Sequence, residues 1–293
     1  MESGGDFLKT RIISGLVASV ILFLVMQLPP YIVGVAVFAV SMVALYEFYQ
    51  CVRKVNFNPI RSIGFSTCTV FFMYLITRAY VDEVKGTFLK DLYHTVFRQD
   101  FVYLFVYLVI VWLLLQLVFK PRQFALKDVA VTLLGMAYIP FLLSFIFMVR
   151  LMENGYELSW LLIIGTFSTD IFAYFIGKFF GKKKLLPEIS PNKTVAGCIG
   201  GIAGSIVCTA LFGVIYINGY SGLHLNILHY LIMGILCGTV SQLGDWAASA
   251  IKRNVGIKDF GHIMPGHGGL LDRIDSLIFV APIVYFYIRF VII

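Results

Sequence analysis

The chain has 293 residues, of which 59% are hydrophobic and only 13% are charged. Soluble globular domains carry about 25% charged residues, so this composition excludes an ordinary soluble enzyme and indicates several membrane-spanning helices. The formal net charge is +7, but the excess lies in short loops between apolar runs, and we expect no nucleic-acid partner.

Apolar runs long enough to cross the hydrocarbon core of a bilayer recur along the whole chain. They predict an all-α, polytopic transmembrane protein with about nine spans of roughly 17 to 25 residues. Pro29 and Pro30 separate the first two spans, because proline ends one helix and can open the next. The predicted spans are residues 12–28, 31–49, 63–80, 101–119, 129–149, 158–176, 198–217, 227–247 and 277–293.

The positive charges are distributed unevenly between the predicted loops. Cytoplasmic loops of membrane proteins carry an excess of Lys and Arg. This predicts an N-in, C-out topology in the cell inner (plasma) membrane, with both strongly polar loops on the cytoplasmic side. If the N-terminus is cytoplasmic, all of the 23 Lys and Arg residues lie on that side except Arg78, Lys85, Lys90, Arg98, Arg150 and Arg289.

The polar motifs are concentrated in the second half of the chain. Residues 1–150 make five predicted spans almost free of internal charge, whereas residues 151–293 carry every polar motif. We expect the first part to be a lipid-facing scaffold whose apolar surface suits a homodimer. We expect the second part to be the catalytic domain.

The sixth predicted span contains a carboxylate, Asp170, in mid-helix. A charged side chain there costs about 2.5–3.5 kcal/mol on insertion scales, so it should face a polar interior, a cation or a base. We favour a functional site; the alternative is that Asp170 pairs with a basic residue of a neighbouring helix. Gly177 and Gly181, four residues apart, predict close helix packing.

The loop after this span carries hydroxyl and ammonium groups just before a glycine-rich helix start. Backbone N–H groups at a helix N-terminus attract anions. We therefore predict that Ser190, Lys193 and Thr194 bind a phosphate group. The preceding run from Lys182 to Lys184 is expected to contact anionic lipid headgroups instead.

Polar residues also recur at helical spacing along the eighth span. Ser241, Asp245, Ser249 and Lys252 lie at i, i+4, i+8 and i+11, so they share one helical face that points toward the basic loop.

Two further carboxylates, Asp272 and Asp275, are three residues apart and share a face if the last helix begins near Gly269. Carboxylates from two helices beside Lys and Arg form a natural divalent-cation site, and oxygen ligands favour Mg²⁺ over zinc. The alternative is a set of mutual salt bridges, for example between Asp272 and Arg253.

The segment from Ser249 to Asp275 resembles the signature of the phosphatidate cytidylyltransferases, also called CDP-diacylglycerol synthases. The loop from Ser190 to Gly197 also resembles this family, but Ala196 stands where glutamate is usual. The positions of the signature that match are Ser249, Lys252, Arg253, Lys258, Asp259, His267, Gly268, Gly269, Asp272, Arg273 and Asp275.

The resemblance implies transfer of CMP from CTP to phosphatidate, giving CDP-diacylglycerol and pyrophosphate in phospholipid biosynthesis. It implies Mg²⁺, with a second cation as an option, bound by Asp245, Asp272, Asp275 and Asp170. The residues expected to carry the catalysis are Asp245, Asp272, Lys252, Arg253, Lys258 and Arg273. Those expected to bind substrate are Ser190, Lys193, Thr194, Ser249, His267, Gly268 and Gly269.

Two other functions compete with this interpretation. A CTP-dependent polyprenol kinase is the closest in chemistry, but such enzymes lack the full signature. An ion-coupled transporter would use Asp170 and Asp245 as intramembrane ion sites. Transport predicts matching polar, broken helices in both halves of the chain, and residues 1–150 offer none.

Overall fold

A computed structural model describes residues 4–80, 91, 93 and 100–292 of the chain, with side chains from residue 12 onward. Lys85, Lys90, Arg98 and His94 lie outside the described residues. The elements are helices α1 (Gly4–Gln27), α2 (Pro30–Arg53), α3 (Arg61–Tyr80), α4 (Phe101–Phe119), α5 (Leu126–Met136), α6 (Leu142–Arg150) and α7 (Gly155–Phe180), strands β1 (Lys184–Leu186) and β2 (Ser190–Thr194), and helices α8 (Val195–Phe212), α9 (Ile227–Asn254) and α10 (Leu271–Tyr287).

The predicted all-α, polytopic membrane fold is confirmed. Among the described residues, eight helical segments are long and apolar enough to cross a membrane, and Ile12–Gln27 is a shorter apolar helix. Within the described residues, three π-helical stretches, Ala137–Phe141, Gly213–Ser221 and Ile288–Ile292, continue α5, α8 and α10. The first of them contains Pro140, which lacks a backbone N–H and so leaves one hydrogen bond of the regular α-helical ladder unmade. The count of nine spans and their orientation stay predictions.

The loop between α7 and α8 contains a small β-hairpin that the sequence analysis did not predict. Strands β1 and β2 pair antiparallel, with Lys184 opposite Thr194 and Leu186 opposite Ser190. The prolines on either side of Ser190, Pro187 and Pro191, disfavour a regular strand, so the sequence carried no strand signal here. The hairpin places Lys193 and Thr194 directly before the N-terminus of α8.

The chain divides into two compact units, one running from Leu28 to Ser144 and the other combining α1 with the chain from Phe145 onward. The second unit contains the whole predicted catalytic segment and also the first helix. Its boundary therefore differs from the predicted division at residue 150, because α1 packs with the C-terminal part. The assignment of scaffold and catalytic roles to the parts stays a prediction.

Small residues bring the backbones of α7 and α8 close together. A Cβ atom on Gly200 would lie 2.6 Å from the side chain of Ile176, and one on Gly201 would lie 2.9 Å from the carbonyl oxygen of Thr169. Glycine at these positions allows an approach that larger residues would prevent. Gly177 likewise faces Gly197, as predicted for close packing. This contact fixes Asp170, next to Thr169, beside the start of α8.

Candidate active site

A cleft of about 760 Å³ lies within the unit formed by α1 and the C-terminal half. Carboxylates from three helices line it: Asp170 from α7, Asp245 from α9, and Asp272 and Asp275 from α10. The other polar and charged residues lining it are Tyr174, Lys178, Lys184, Ser190, Asn192, Lys193, Thr194, Cys198, Gln242, Lys252, Asp259, Arg273 and Ser276. Two motifs more than fifty residues apart in the chain thus meet in one cavity.

The hairpin and α9 are joined across the cleft by an ion pair between Lys193 and Asp245. Both side chains remain partly exposed, at 25% and 31%, so the pair is accessible from the cleft. The hydroxyl of Ser249 donates to Oδ1 of Asp245 at 3.2 Å, and the ammonium of Lys193 lies 5.8 Å from the Trp246 ring centroid. A phosphate group entering here would find a cation that is already positioned.

A second ion pair, between Lys252 and Asp272, is much more buried. Nζ of Lys252 donates to Oδ1 of Asp272 at 2.7 Å, and the two side chains are 11% and 3% exposed. The other oxygen, Oδ2, accepts backbone N–H groups from Phe260 at 2.8 Å and Gly269 at 2.9 Å. Asp272 therefore ties the loop between α9 and α10 to the start of α10.

The two remaining carboxylates lie among these charges. Asp170 interacts electrostatically with Asp245, Lys193 and Arg273. Asp275, buried at 8% exposure, interacts with Asp245, Lys252 and Asp170. Like charges held this close repel one another, and a bound cation would relieve that repulsion. The functional interpretation of Asp170 is favoured by its place in the cleft lining.

The residues predicted to bind a phosphate group lie together at the start of α8, and their binding role stays a prediction. Thr194 is the N-cap of α8, and its hydroxyl accepts the backbone N–H of Gly197 at 3.1 Å, which is a typical capping contact. Thr194 is buried at 5% exposure but still borders the cleft together with Ser190 and Lys193.

The segment around His267 forms a tight turn. Met264 and Gly268 form an antiparallel bridge, and the N–H of His267 donates to the carbonyl of Met264 at 2.9 Å. Gly266 and Gly268 have φ angles of 74° and 84°, a left-handed conformation that glycine adopts without strain. The turn packs against the site, since a Cβ on Gly268 would lie 3.1 Å from Oδ2 of Asp272.

Both predicted catalytic arginines bind backbone carbonyls. Arg253 donates from Nε to the carbonyl of Ile189 at 3.1 Å and from Nη1 to that of Ile257 at 3.0 Å, which joins the hairpin to the loop after α9. Arg273 donates from Nε and Nη2 to the carbonyl of His267 at 3.0 and 2.7 Å while still lining the cleft. The alternative of mutual salt bridges is therefore seen in the structure, but with other partners than the expected example, since Asp272 pairs with Lys252 and not with Arg253.

Several predicted site residues lie next to the cleft rather than on its wall. Within the described part of the chain, the lining does not include Ser249, Arg253, Lys258, His267, Gly268 or Gly269. The lining does include Asn192, Gln242 and Asp259, to which the sequence analysis gave no role. Asp259 could have been found from the sequence, because it is a matched position of the signature. Gln242 lies beside the polar face of α9. No sequence pattern pointed to Asn192.

The residues of the cleft fit a hard divalent cation. Five carboxylates line it, the four from the helices and Asp259, and carboxylate oxygens are the ligands that such ions prefer. In the described residues no group of three acidic, histidine or cysteine side chains is already arranged as a metal site. The ammonium groups of Lys193 and Lys252 stand beside Asp245 and Asp272 instead, so a cation bound at either carboxylate would take over the place of an ammonium.

Apolar helices around a strongly charged cleft define an integral membrane protein with a polar site among its helices. Comparison with known proteins identifies which one. A model of the cytidylyltransferase family matches residues 9–291, and the chain therefore belongs to that family of nucleotide-transferring enzymes.

Individual relatives agree with this assignment. A phosphatidate cytidylyltransferase of Bacillus subtilis (strain 168) is 33% identical over 285 residues, which cover 95% of this chain and 97% of the relative. One of Staphylococcus epidermidis (strain RP62A) is 37% identical over 166 residues, 57% of this chain and 61% of the relative. One of Thermotoga maritima (strain MSB8) is 37% identical over 165 residues, 56% and 60% of the two chains.

Proposed function

We propose that this chain is a phosphatidate cytidylyltransferase, which transfers CMP from CTP to phosphatidate and releases pyrophosphate. The observation that carries the proposal is the convergence of two separate motifs on one cleft. Lys193 from the hairpin meets Asp245, and Lys252 from the signature meets Asp272. The full-length relative of the same name supports the choice of substrates.

The reaction is a displacement at phosphorus. An oxygen of phosphatidate forms a bond to the α-phosphorus of CTP while the bond between that phosphorus and the bridging oxygen breaks, and pyrophosphate leaves. A phosphate monoester is already ionised at pH 7, because its second pKa is about 6, so no general base is required. Catalysis of such transfers depends mostly on positioning and on stabilising charge.

The lysines of the cleft supply that stabilisation from the protein side. Lys193 and Lys252 are already held by carboxylates at the cleft wall, so little freedom is lost when a phosphate oxygen replaces the carboxylate partner. Arg273 lines the same cavity and is oriented by its two hydrogen bonds to His267. Ser190 and Thr194 lie where a phosphate would meet the start of α8.

Arg253 and Lys258 act from outside the cleft wall in this proposal. Arg253 keeps the hairpin in place, through the carbonyl of Ile189, and so positions Lys193. Lys258 is exposed in the loop after α9 and adds positive charge near the entrance. Ser249 orients Asp245, while Gly268 and Gly269 shape the turn that holds Asp272.

Membership of the family implies a divalent cation, and we propose that it is Mg²⁺, bound by Asp245 and Asp272 with Asp275 and Asp170 beside them. When bound, it would neutralise charge on the triphosphate and on the leaving pyrophosphate. The protein's own contribution is to hold five carboxylates, these four and Asp259, around one cavity and to offer Lys193 and Lys252 as exchangeable partners. A second cation could bind within such a set of acidic groups.

Radiolabelled CTP distinguishes this function from its competitors. Purified protein in detergent is incubated with phosphatidate, Mg²⁺ and CTP labelled at either the α- or the γ-phosphate. We expect α-label to enter the chloroform phase only when phosphatidate is present, and γ-label to appear as pyrophosphate. Transfer of γ-label to a lipid would instead show a CTP-dependent kinase, and no transfer of either label would contradict the proposal.

We also propose the predicted N-in, C-out topology with nine spans in the inner membrane, which puts the cleft on the cytoplasmic side. Single cysteines near Lys183 and near Lys258, in a background lacking the five native cysteines, should resist an impermeant thiol reagent in intact cells. Labelling of either position without permeabilisation would contradict this orientation. The homodimer stays a prediction that the mass of the detergent-solubilised protein would test.

A further inference from the structure

We propose that Ser14, in the first helix, is a positioning residue for the active site. It holds the turn around His267 and, through that turn, fixes Asp272 and Arg273 at the cleft. The proposal rests on the proposed function for its kinetic consequences, but the contact itself can be tested independently. Ser14 lies outside every motif that the sequence analysis identified.

The contacts of Ser14 reach across the whole chain. Its hydroxyl donates to the carbonyl of Pro265 at 3.0 Å and lies 2.7 Å from Nδ1 of His267. Both partners belong to the turn between Met264 and Gly268. Two hydrogen-bonding contacts therefore join α1 to a single five-residue turn.

The direction of these hydrogen bonds follows from the chemistry of the hydroxyl. A serine hydroxyl has one hydrogen and two lone pairs. With that hydrogen donated to Pro265, we infer that the contact with His267 runs from Nδ1–H to the serine oxygen. Ser14 therefore selects the ring tautomer of His267 that carries a proton on Nδ1, and it fixes the plane of the ring.

Helix α1 approaches the turn closely at the next residue as well. A Cβ atom on Gly15 would lie 3.4 Å from Cε1 of His267, which is ordinary van der Waals contact. The backbone of α1 therefore rests against the imidazole, and the two hydrogen bonds of Ser14 are made at a packed surface. The helix supports both the backbone and the side chain of the turn.

The turn passes this restraint on to the cleft by two routes. The residue after it, Gly269, donates its N–H to Oδ2 of Asp272 at 2.9 Å. The carbonyl of His267 accepts two hydrogen bonds from Arg273, at 3.0 and 2.7 Å. Asp272 and Arg273 both line the cleft, so a turn released from α1 would leave one carboxylate and one guanidinium less well fixed.

The first experiment measures the contact without reference to activity. Hydrogen exchange followed by mass spectrometry reports on the amides of Met264 and His267, which are hydrogen bonded within the turn. Ser14→Ala should speed exchange in this segment several-fold. Ser14→Thr, which keeps the hydroxyl, should restore slow exchange. Ser19→Ala is the matched control, because Ser19 lies on the same helix and its hydroxyl, among the described residues, donates to the carbonyl of Gly15 at 2.9 Å.

The second experiment measures the kinetic consequence with the same three variants. Ser14→Ala should lower kcat about five- to tenfold, the size expected for losing one or two neutral hydrogen bonds. It should also raise the Mg²⁺ concentration needed for half-maximal activity, while leaving KM for CTP within about twofold. Ser14→Thr should recover most of the loss, and Ser19→Ala should match the unmodified chain.

The outcomes separate the two proposals. If the unmodified chain is active and Ser14→Ala behaves like Ser19→Ala in both experiments, the positioning role is wrong and the proposed function stands. If the unmodified chain shows no cytidylyl transfer, the proposed function is wrong, and hydrogen exchange still decides whether α1 holds the turn. A thermal melt of each variant checks that lost activity is not lost folding.

Discussion

The two compact units each bury an aspartate that accepts two backbone N–H groups, and they use it differently. In the unit from Leu28 to Ser144, Asp128 accepts the N–H of Asn58 on Oδ1 at 2.6 Å and that of Ala125 on Oδ2 at 2.8 Å. In the other unit, both backbone donors of Asp272 share Oδ2, and Oδ1 is left for Lys252. The first arrangement uses both oxygens for the fold.

If Asp272 binds the cation as proposed, a buried charge serves structure in one unit and chemistry in the other. At Asp128 each oxygen accepts one backbone N–H group, so the carboxylate stabilises the start of α5. At Asp272 one oxygen faces the ammonium of Lys252, which a cation would replace in the proposed function. Burial is similar, at 3% for Asp128 and 9% for Asp272, and so exposure alone would not separate the two roles.

The sharpest test of the comparison is the substitution Asp272→Asn, which keeps the size and removes the charge. Stabilisation of developing charge by a metal ion is worth several kcal/mol, and each 1.36 kcal/mol is tenfold in rate. Turnover should therefore fall about a thousandfold or more, and saturating CTP should not restore it. Steady-state rates over a series of CTP and Mg²⁺ concentrations measure both effects.

Two results would contradict the role of Asp272 as a metal ligand. Near-normal turnover in Asp272→Asn would leave it as an anchor of the loop before α10. A defect that disappears when CTP alone is raised would make it a contact for binding rather than for catalysis. A circular-dichroism melt controls for unfolding, because Asp272 also accepts the N–H groups of Phe260 and Gly269.

The next effect in size is expected for Lys193→Ala. This change removes a partly exposed charged contact worth about 1.5–3 kcal/mol. If the contact is similar in the ground state and the transition state, most of the loss appears as a KM for CTP raised about 10- to 100-fold. Lys182→Ala, in the same loop but outside the described cleft lining, is the matched control and should change KM little. An unchanged KM with a reduced kcat would contradict this role of Lys193.

Asp128→Asn tests the other half of the comparison with the same chemical change. One of its two backbone donors would face an amide NH₂ group instead of an oxygen, which costs about 1–3 kcal/mol of stability. We expect a lower thermal midpoint in detergent, with kcat and KM for the folded fraction unchanged. A loss of turnover comparable to that of Asp272→Asn in folded protein would show that the two carboxylates do not differ in role.

Much of the fold followed from the sequence because membrane spans have a strong length and hydropathy signal. The eight helical segments overlap the predicted spans two to nine, and the last helix begins at Leu271, close to the predicted start near Gly269. The hairpin before α8 was missed because its two short strands contain or flank prolines. The two strands pair because α7 and α8 hold the ends of this loop, and a local sequence pattern does not predict that arrangement.

The candidate site followed from the sequence only as a set of residues. The helical spacing of Asp245 and Lys252 was sufficient to place them on one face, but which cation meets which carboxylate depends on the packing of α8, α9 and α10. Arg253 shows the limit, since a signature arginine was expected to face phosphate and instead binds two carbonyls. Ser14 had no signal at all, because its partners are more than 250 residues away.

The smallest effect is expected for Ala196→Glu, which restores the residue usual in the family. Ala196 is the second residue of α8, where a carboxylate interacts favourably with the helix dipole by about 0.3–1 kcal/mol. It lies outside the described cleft lining, and the carboxylates of Asp170 and Asp245 already provide acidic groups near Lys193. Activity should therefore stay within a few-fold, with Ala196→Gln as the control for side-chain size. A loss of a hundredfold or more in Ala196→Glu alone would mean that the new carboxylate captures Lys193 or that the loop packs differently from that of its relatives. The roles proposed for Lys193 and Thr194 would then be wrong.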